Sequence, residues 1–493
     1  MFTDGQRRKV WDQIRQHDLR AFARLLPDEL LTQAAKEAGR RIANCALNLT
    51  TLVWLGVAAA LHRWRNFASV LRLTLKLLED AEHWPHSPLA ATRRRARRRG
   101  TGQPRRRSKH DPRRNDPTEL SEEAFAQARQ KMPLEFWIRL VMLLGARFEQ
   151  QHGDWVRWKS FRLLALDGTT IDLPDWKALE DHFGRARNGW SKGKVQARMV
   201  MLQLPLARVP WRYTLGPLRQ GEPTLADPLL QQLLPNDLVL MDQGFWSYGL
   251  FWTVQDRRAF FAIRLRSQIR MKTLQSLGPK DRLVRWNRPN SPRWRNSGLP
   301  EHIKLRVIRY QMRGFRPSAI VTNVRNARLV SRDDWVRLAS QTEPGDERLG
   351  VGLYHRRWEI ETTFQELKVV QGMEGSLRSR TPAGIHYEVA GHVLLYLLVR
   401  WLMVEAAERS GMDPLRLSFR HALQELIDMS PTLITSSVGH VRRVLLPRLL
   451  QRIASHAVPL RPGRHYPRPG DTKIKNLGNG NYRMPHKLAP RTK

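Results

Sequence analysis

Leu238–Gly244 reads LVLMDQG, and the fold turns on how it is read. Four apolar residues in succession make a short strand buried on both faces, with structure layered above and below it. The run then stops on a carboxylate, Asp242, with a glycine two positions later. Earlier in the chain Leu163–Gly168, LLALDG, is built the same way and stops on Asp167. One acid at a strand end is ordinary turn chemistry, because Asp caps the backbone where solvent begins. Two with one grammar shift the balance. Adjacent strands would bring both acids to one edge of a sheet, where carboxylates about 4 Å apart repel by roughly 4 kcal/mol at an effective dielectric near 20. Such a pair is kept when one member is protonated or when a cation sits between them. A set of oxygen ligands suits Mg²⁺ or Mn²⁺ and not zinc.

A third acid is available on Leu353–Lys368, LYHRRWEIETTFQELK. On a helix at about 100° per residue, Tyr354, Arg357, Glu361 and Lys368 share a stripe roughly 60° wide. Glu359 and Glu366 fall on another side with Trp358, and Ile360, Phe364 and Leu367 form the apolar face that docks the helix. An acid flanked by two cations and a phenol therefore borders the core. That arrangement suits Glu361 on a metal ion, Arg357 and Lys368 on phosphate oxygens, and Tyr354 as a hydrogen-bond donor. Taken alone, the stripe is better read as a solvated face with i,i+4 ion pairs such as Arg357–Glu361.

Bulk properties narrow the partner. The chain has 493 residues, enough for two or more domains, and 41% of them are hydrophobic, so it folds around a substantial core. Lys and Arg number 85 against 45 Asp and Glu, a formal net charge of +40. That surplus points to a polyanion, nucleic acid first and an anionic membrane surface second, with a merely basic soluble protein as the plainer reading. Cys45 is the single cysteine, which excludes a disulfide framework or a zinc cluster within one chain and fits a reducing cytosol. The N-terminal stretch lacks the apolar core of a signal peptide. LTTLVWLGVAAALHRW covers about half a bilayer crossing, and HVLLYLLVRWLMVEAA carries Arg400 in its middle; both read as buried core helices.

Along the chain, residues 5–91 read as amphipathic helices, and RRRARRRGTGQPRRRSKHDPRRNDP as a basic linker or an arm for phosphates. Helical patterning resumes from Glu119 to about Gln151. FRLLALDGTTIDLP, VQARMVMLQLPL, DLVLMDQG and AFFAIRLRS then read as strands, as do HIKLRVIRYQM and SAIVTNV in a further β region. Helices return after Gly350 and a basic tail ends the chain. The loop GRARNGWSKGKVQAR brings Arg185, Arg187, Lys192 and Lys194 near the first acid, as a track for a DNA backbone or as a solvated loop.

The spacing Tyr354-x2-Arg357-x3-Glu361-x6-Lys368 resembles the Y-R-E-K signature of bacterial DDE transposases of the insertion-sequence-4 family. LALDGTTIDLP resembles that family's first-aspartate block and LMDQGFWSYGLF its second. NGWSKGKVQARMVMLQ and SLRSRTPAGIHYEVAGHVLLYLLVRWLM are similar to further family segments. The resemblance implies an α/β fold: a ribonuclease-H-like mixed-sheet core with a β-rich insertion and an N-terminal helical domain. It divides the chain into an N-terminal helical DNA-binding domain (1–91), a basic linker (92–117), a first catalytic part (118–265), the insertion (266–345), a second catalytic part (346–405), a C-terminal helical region (406–460) and a basic tail (461–493).

By the same resemblance Asp167, Asp242 and Glu361 are the catalytic acids and hold two Mg²⁺ ions, with Mn²⁺ as a substitute. Tyr354, Arg357, Lys368 and the four basic loop residues contact DNA. The implied partners are double-stranded DNA, as transposon ends and as target, and a second copy of the chain on that DNA. No membrane is involved, and the place of action is the bacterial cytoplasm at the nucleoid. Some members hold a flipped base on a tryptophan of the insertion; Trp286 and Trp294 are open to that role or to packing, while Trp246 is expected in the core. Two other functions share these residues: a nuclease of the same core that cuts without joining, and a DNA-binding protein without catalysis.

Overall fold

The computed structural model describes residues 24–41, 49–64, 122–186, 192–266, 268–295, 297–310, 317–335, 353–436 and 438–459, with Phe22 and Val70. The basic segment 92–117 and the tail 461–493 lie outside the described residues. The longer helices, in chain order, are α1 (Asp28–Glu37), α2 (Leu49–Leu61), α3 (Glu122–Gln130), α4 (Leu134–Gln151), α5 (Lys177–Phe183), α6 (Glu222–Leu230), α7 (Tyr248–Asp256), α8 (Glu359–Gln365), α9 (Pro382–Ser410), α10 (Phe419–Thr435) and α11 (Leu446–Ser455). The strands are β1 (Arg157–Trp158), β2 (Phe161–Asp172), β3 (Gln196–Leu204), β4 (Val209–Pro217), β5 (Asp237–Met241), β6 (Phe260–Arg264), β7 (Lys272–Gly278), β8 (Asp281–Asn287), β9 (His302–Tyr310) and β10 (Ser318–Thr322).

All ten strands join one sheet, ordered β4-β3-β2-β5-β6-β10-β9-β8-β7, with β1 paired to β2. Its first half is the ribonuclease-H-like arrangement. β2, β3 and β4 form an antiparallel meander, and β5 and β6 then run parallel to β2. Every residue of β5 is buried, as expected of an apolar strand covered on both faces. β2 is buried through Leu166, is half-exposed from Asp167 to Thr170, and is buried again at Ile171.

The β region after β6 forms no sheet of its own among the described residues. β10 pairs antiparallel to β6, and β9, β8 and β7 follow outward. The stretch between the second and third acids therefore extends the sheet that carries the two aspartates.

α9 is the central prop on the other side. Thr381 caps its start by accepting the Gly384 N–H, Pro382 fills its first turn, and Gly411 at φ +66° ends it in the left-handed conformation that glycine adopts freely. It is the one described helix long and apolar enough to cross a membrane, but 94% of its apolar window is buried inside the protein. α2 lies against it so closely that a Cβ at Gly391 would stand 2.7 Å from the Gly56 carbonyl oxygen. α4 and α11 also pack on it. Arg400, the charge inside its apolar run, is fully buried and donates from Nε to the Ala207 carbonyl at 3.0 Å. Both apolar stretches are thus core helices.

Candidate active site

The two aspartates meet because β2 and β5 are parallel neighbours in one register. Arg162 stands opposite Asp237, and the pairing runs to Leu166 opposite Met241, so the next residues, Asp167 and Asp242, come side by side. β5 ends there, but β2 does not stop on its acid: it runs on to Asp172, held by its pairing with β3. A buried ion pair fixes that register at the other end. Arg162 donates from two nitrogens to the two Asp237 oxygens at 2.7 and 2.8 Å, and a third nitrogen reaches Glu149 at 3.0 Å. Bidentate guanidinium–carboxylate geometry is directional, so a slipped register would strand both charges.

The third acid arrives on an irregular helix. Leu353–Trp358 is a 3₁₀ turn, α8 follows, and Glu366–Val370 is a π-helical turn. Ile360, Phe364 and Leu367 are buried, so the apolar face docks as its periodicity requires. On the opposite flank Arg208, from the β3–β4 turn, donates to Glu359 at 2.7 Å and to Glu366 at 2.9 Å. Tyr396 of α9 donates to Glu366 at 2.6 Å. These contacts take two of the helix's acids out of the site and leave Glu361 facing the strand ends.

Arg357 is where the three acids converge. Its Nη1 is 2.9 Å from Asp167, and its Nη2 is 3.0 Å from Glu361 and 3.5 Å from Asp242. Burial opposes the Arg357 charge, yet Tyr354 and the three carboxylates outweigh it and raise its pKa. Burial pushes the Asp167 carboxyl up to about 6, against the pull of Arg357 and of the Gly168 N–H that it accepts at 2.8 Å. Asp242 accepts the Gly244 N–H at 3.2 Å. Among the described residues no three acid, histidine or cysteine side chains are close enough to hold an ion as they stand, because a guanidinium stands between these acids. The donor set still fits a divalent cation: oxygen ligands only, already gathered around one positive group.

The remaining candidates occupy different settings. Tyr354 is buried; its hydroxyl donates to the Met241 carbonyl at 3.0 Å and accepts the Arg264 N–H at 3.2 Å. Burial raises its pKa, so it stays a donor, but to the residue before Asp242. Lys368 lies along β2, 2.7 Å from the Thr170 carbonyl and 3.0 Å from Glu374. In the basic loop Arg185 is held by Asp175, Glu180 and the Gly193 carbonyl, and Lys194 pairs with Asp172. Lys192 is exposed, and Arg187 lies outside the described residues. Trp286 is buried against Trp246, Tyr248 and Phe251, so its ring is taken up by packing. Trp294 is half-buried over Gly249, where a Cβ would stand 2.7 Å from its ring.

Sequence reading passed over the Arg162–Asp237 clamp. Its signal was present: RLLALD and DLVLMD each begin with a charge, of opposite sign, ahead of an apolar run that ends on an acid.

Comparison with known proteins agrees with this geometry. The family model described as the transposase DDE domain matches residues 158–398, a span that holds all three acids. The transposase InsG for insertion sequence element IS4 of Escherichia coli K12 is 29% identical over 354 residues, covering 70% of this chain and 75% of that protein. A putative transposase, InsZ, of the same organism is 26% identical over 143 residues, 28% of this chain and 47% of that one. A cryo-EM structure of the piggyBac transposase synaptic complex with hairpin DNA aligns over 91% of this chain and 87% of that one, at 9% identity and a TM-score of 0.34, too distant for a shared fold to be read from it. Action on DNA and dependence on divalent metal are general to the matched domain. Strands, helix, family match and relatives converge on a DDE transposase of the insertion-sequence-4 family.

Proposed function

We propose that the protein binds the ends of its own insertion sequence, hydrolyses the phosphodiester there and joins the freed 3′-OH to target DNA in the same site. The observation that carries this reading is the meeting of Asp167, Asp242 and Glu361 around one guanidinium. Those three carboxylates would hold two Mg²⁺ ions, which supply activation of the attacking oxygen and stabilisation of the leaving 3′ oxygen. The chain's own residues do the positioning. Tyr354 ties the end of β5 to β6 and so fixes Asp242. Arg357 neutralises the acids, and its charge becomes available to a phosphate oxygen once cations take over that task. Lys368 and the exposed Lys192 extend the positive field along β2 and the neighbouring loop.

The surplus of +40 charges supplies the sequence-independent part of DNA affinity. Acting on two ends calls for two copies of the chain on the DNA, in the cytoplasm where the nucleoid lies. The test incubates the protein with labelled element ends, Mg²⁺ and a plasmid. Joined product is the expected result; nicks without joining would make it a nuclease, and a band shift alone a DNA-binding protein. D242A is expected to abolish both chemical steps and leave the band shift in place.

A further inference from the structure

Each catalytic aspartate is followed closely by a glycine, and a fourth carboxylate lies over both, tightly at the first and in ordinary contact at the second. Glu222, at the start of α6, lays its side chain on Gly168, the residue after Asp167. A Cβ at Gly168 would stand 2.6 Å from the Glu222 Cδ and 2.8 Å from Oε1, distances that real contacts do not reach. A Cβ at Gly244 would stand 3.5 Å from the other oxygen, Oε2, and 3.8 Å from the Asp242 Oδ2. The Glu222 carboxylate therefore spans the two glycines whose N–H groups are accepted by Asp167 and Asp242. Only a residue without a side chain fits beneath it at position 168.

Glu222 is half-buried and makes no hydrogen bond or ion pair with a described residue. The other acids around the site are compensated: Asp167, Asp242 and Glu361 by Arg357, Glu374 by Lys368, and Glu359 and Glu366 by Arg208. An uncompensated carboxylate pressed onto the backbone beside two further acids is the arrangement that a cation relieves.

The geometry points to Glu222 as a fourth acidic residue of the divalent-cation site, on the side of the two aspartates. It rests on the cation-dependent reading above and adds a ligand from a helix that the three-acid signature does not include. The carboxylate contributes charge and a donor oxygen to the ion held by Asp167 and Asp242, and takes no proton in the reaction.

The test is Mn²⁺ binding to the full-length protein without DNA, followed by paramagnetic resonance of the free ion. E222Q, which keeps shape and removes charge, is expected to weaken Mn²⁺ affinity by about 10-fold or more. G168A keeps Glu222 in the chain but displaces its carboxylate, and is expected to do the same. G244A, where the contact is ordinary, should have a smaller effect. D242N serves as the reference. If D242N loses the ion while E222Q and G168A bind it like wild type, Glu222 is no part of the site and the three-acid reading stands. If D242N also binds like wild type, the cation site itself is misassigned and this inference falls with it. G168A decides the matter should E222Q not fold.

Discussion

Two arginines of this protein are buried to the same degree and do opposite things. Arg162 is 6% exposed and its partner Asp237 only 1%, so the pair is sealed on both sides. Arg357 is 5% exposed, but Asp242 and Glu361, two of the acids around it, are 44% and 50% exposed. The sealed pair, with Glu149 on the third nitrogen of Arg162, has one geometry; it holds the register of β2 against β5. The open cluster offers its carboxylates to solvent on one side, where ions and phosphates can replace the guanidinium. One strand pair thus carries a fixed charge contact at its start and an exchangeable one at its end.

The sharpest way to break this contrast is to neutralise one acid of each kind. D242N should lower end cleavage by on the order of 10³-fold or more, about 4 kcal/mol in the barrier. Its unfolding free energy without metal should hold or rise slightly, since one of three like charges has gone. D237N should behave in reverse. It removes the bidentate partner of a buried Arg162 and leaves only Glu149 against its charge, and should cost about 3 kcal/mol in denaturant titration. Should D237N prove as stable as wild type, the register is held elsewhere and the contrast fails.

A smaller effect sharpens the comparison at the boundary between the two regions. Tyr354 bridges the Met241 carbonyl and the Arg264 N–H just below Asp242, so Y354F removes one donor and one acceptor in a buried setting. A stability loss of about 1–3 kcal/mol is expected, because the Met241 carbonyl and the Arg264 N–H are left unpaired. Cleavage should fall with DNA affinity unchanged, measured by band shift. A phenol that instead reached DNA would lower affinity in the same assay, and that result would place Tyr354 in the exchangeable cluster.

How far the chain announced all this differs between the two regions. The strands and the acids that close their apolar runs were legible because an apolar run ending in Asp is a local pattern, although β2 continues past Asp167 to Asp172 on its pairing with β3. The apolar face of α8 was legible because 3.6-residue periodicity is local too. The roles along the polar stripe were less so. A straight helix puts Tyr354, Arg357, Glu361 and Lys368 on one rim, but the segment starts as a 3₁₀ turn and ends as a π turn. Tyr354 turns its hydroxyl under the sheet end, and Lys368 comes to lie beside Thr170. Which acid neutralises which cation was also hidden, since Arg208 with Glu359, Arg185 with Asp175 and Lys194 with Asp172 are set by tertiary approach. Glu222 left no trace of its own except Gly168, whose need for space shows only when the helix is laid over it. The β strands after Arg266 were visible as strands, but their union with the core sheet depends on β10 pairing with β6, and a strand pattern does not name its neighbour.

The gentlest probe of the exchangeable cluster is removal of its guanidinium. In wild type Arg357 already offsets part of the charge of the three acids, so Mg²⁺ adds less stability than it would to bare carboxylates. R357Q leaves the acids facing one another, and the ion then becomes the main source of compensation. Thermal unfolding midpoints with EDTA and with Mg²⁺ should differ more for R357Q than for wild type. At a free ion concentration ten times the dissociation constant, the ion's contribution is about 1.4 kcal/mol by mass action. R162Q offers the control: its vacancy is sealed from solvent beside Asp237, so its midpoint should fall and Mg²⁺ should not restore it. Equal Mg²⁺ responses in the two variants would mean that Arg357 is as structural as Arg162, and that the acids do not exchange one cation for another.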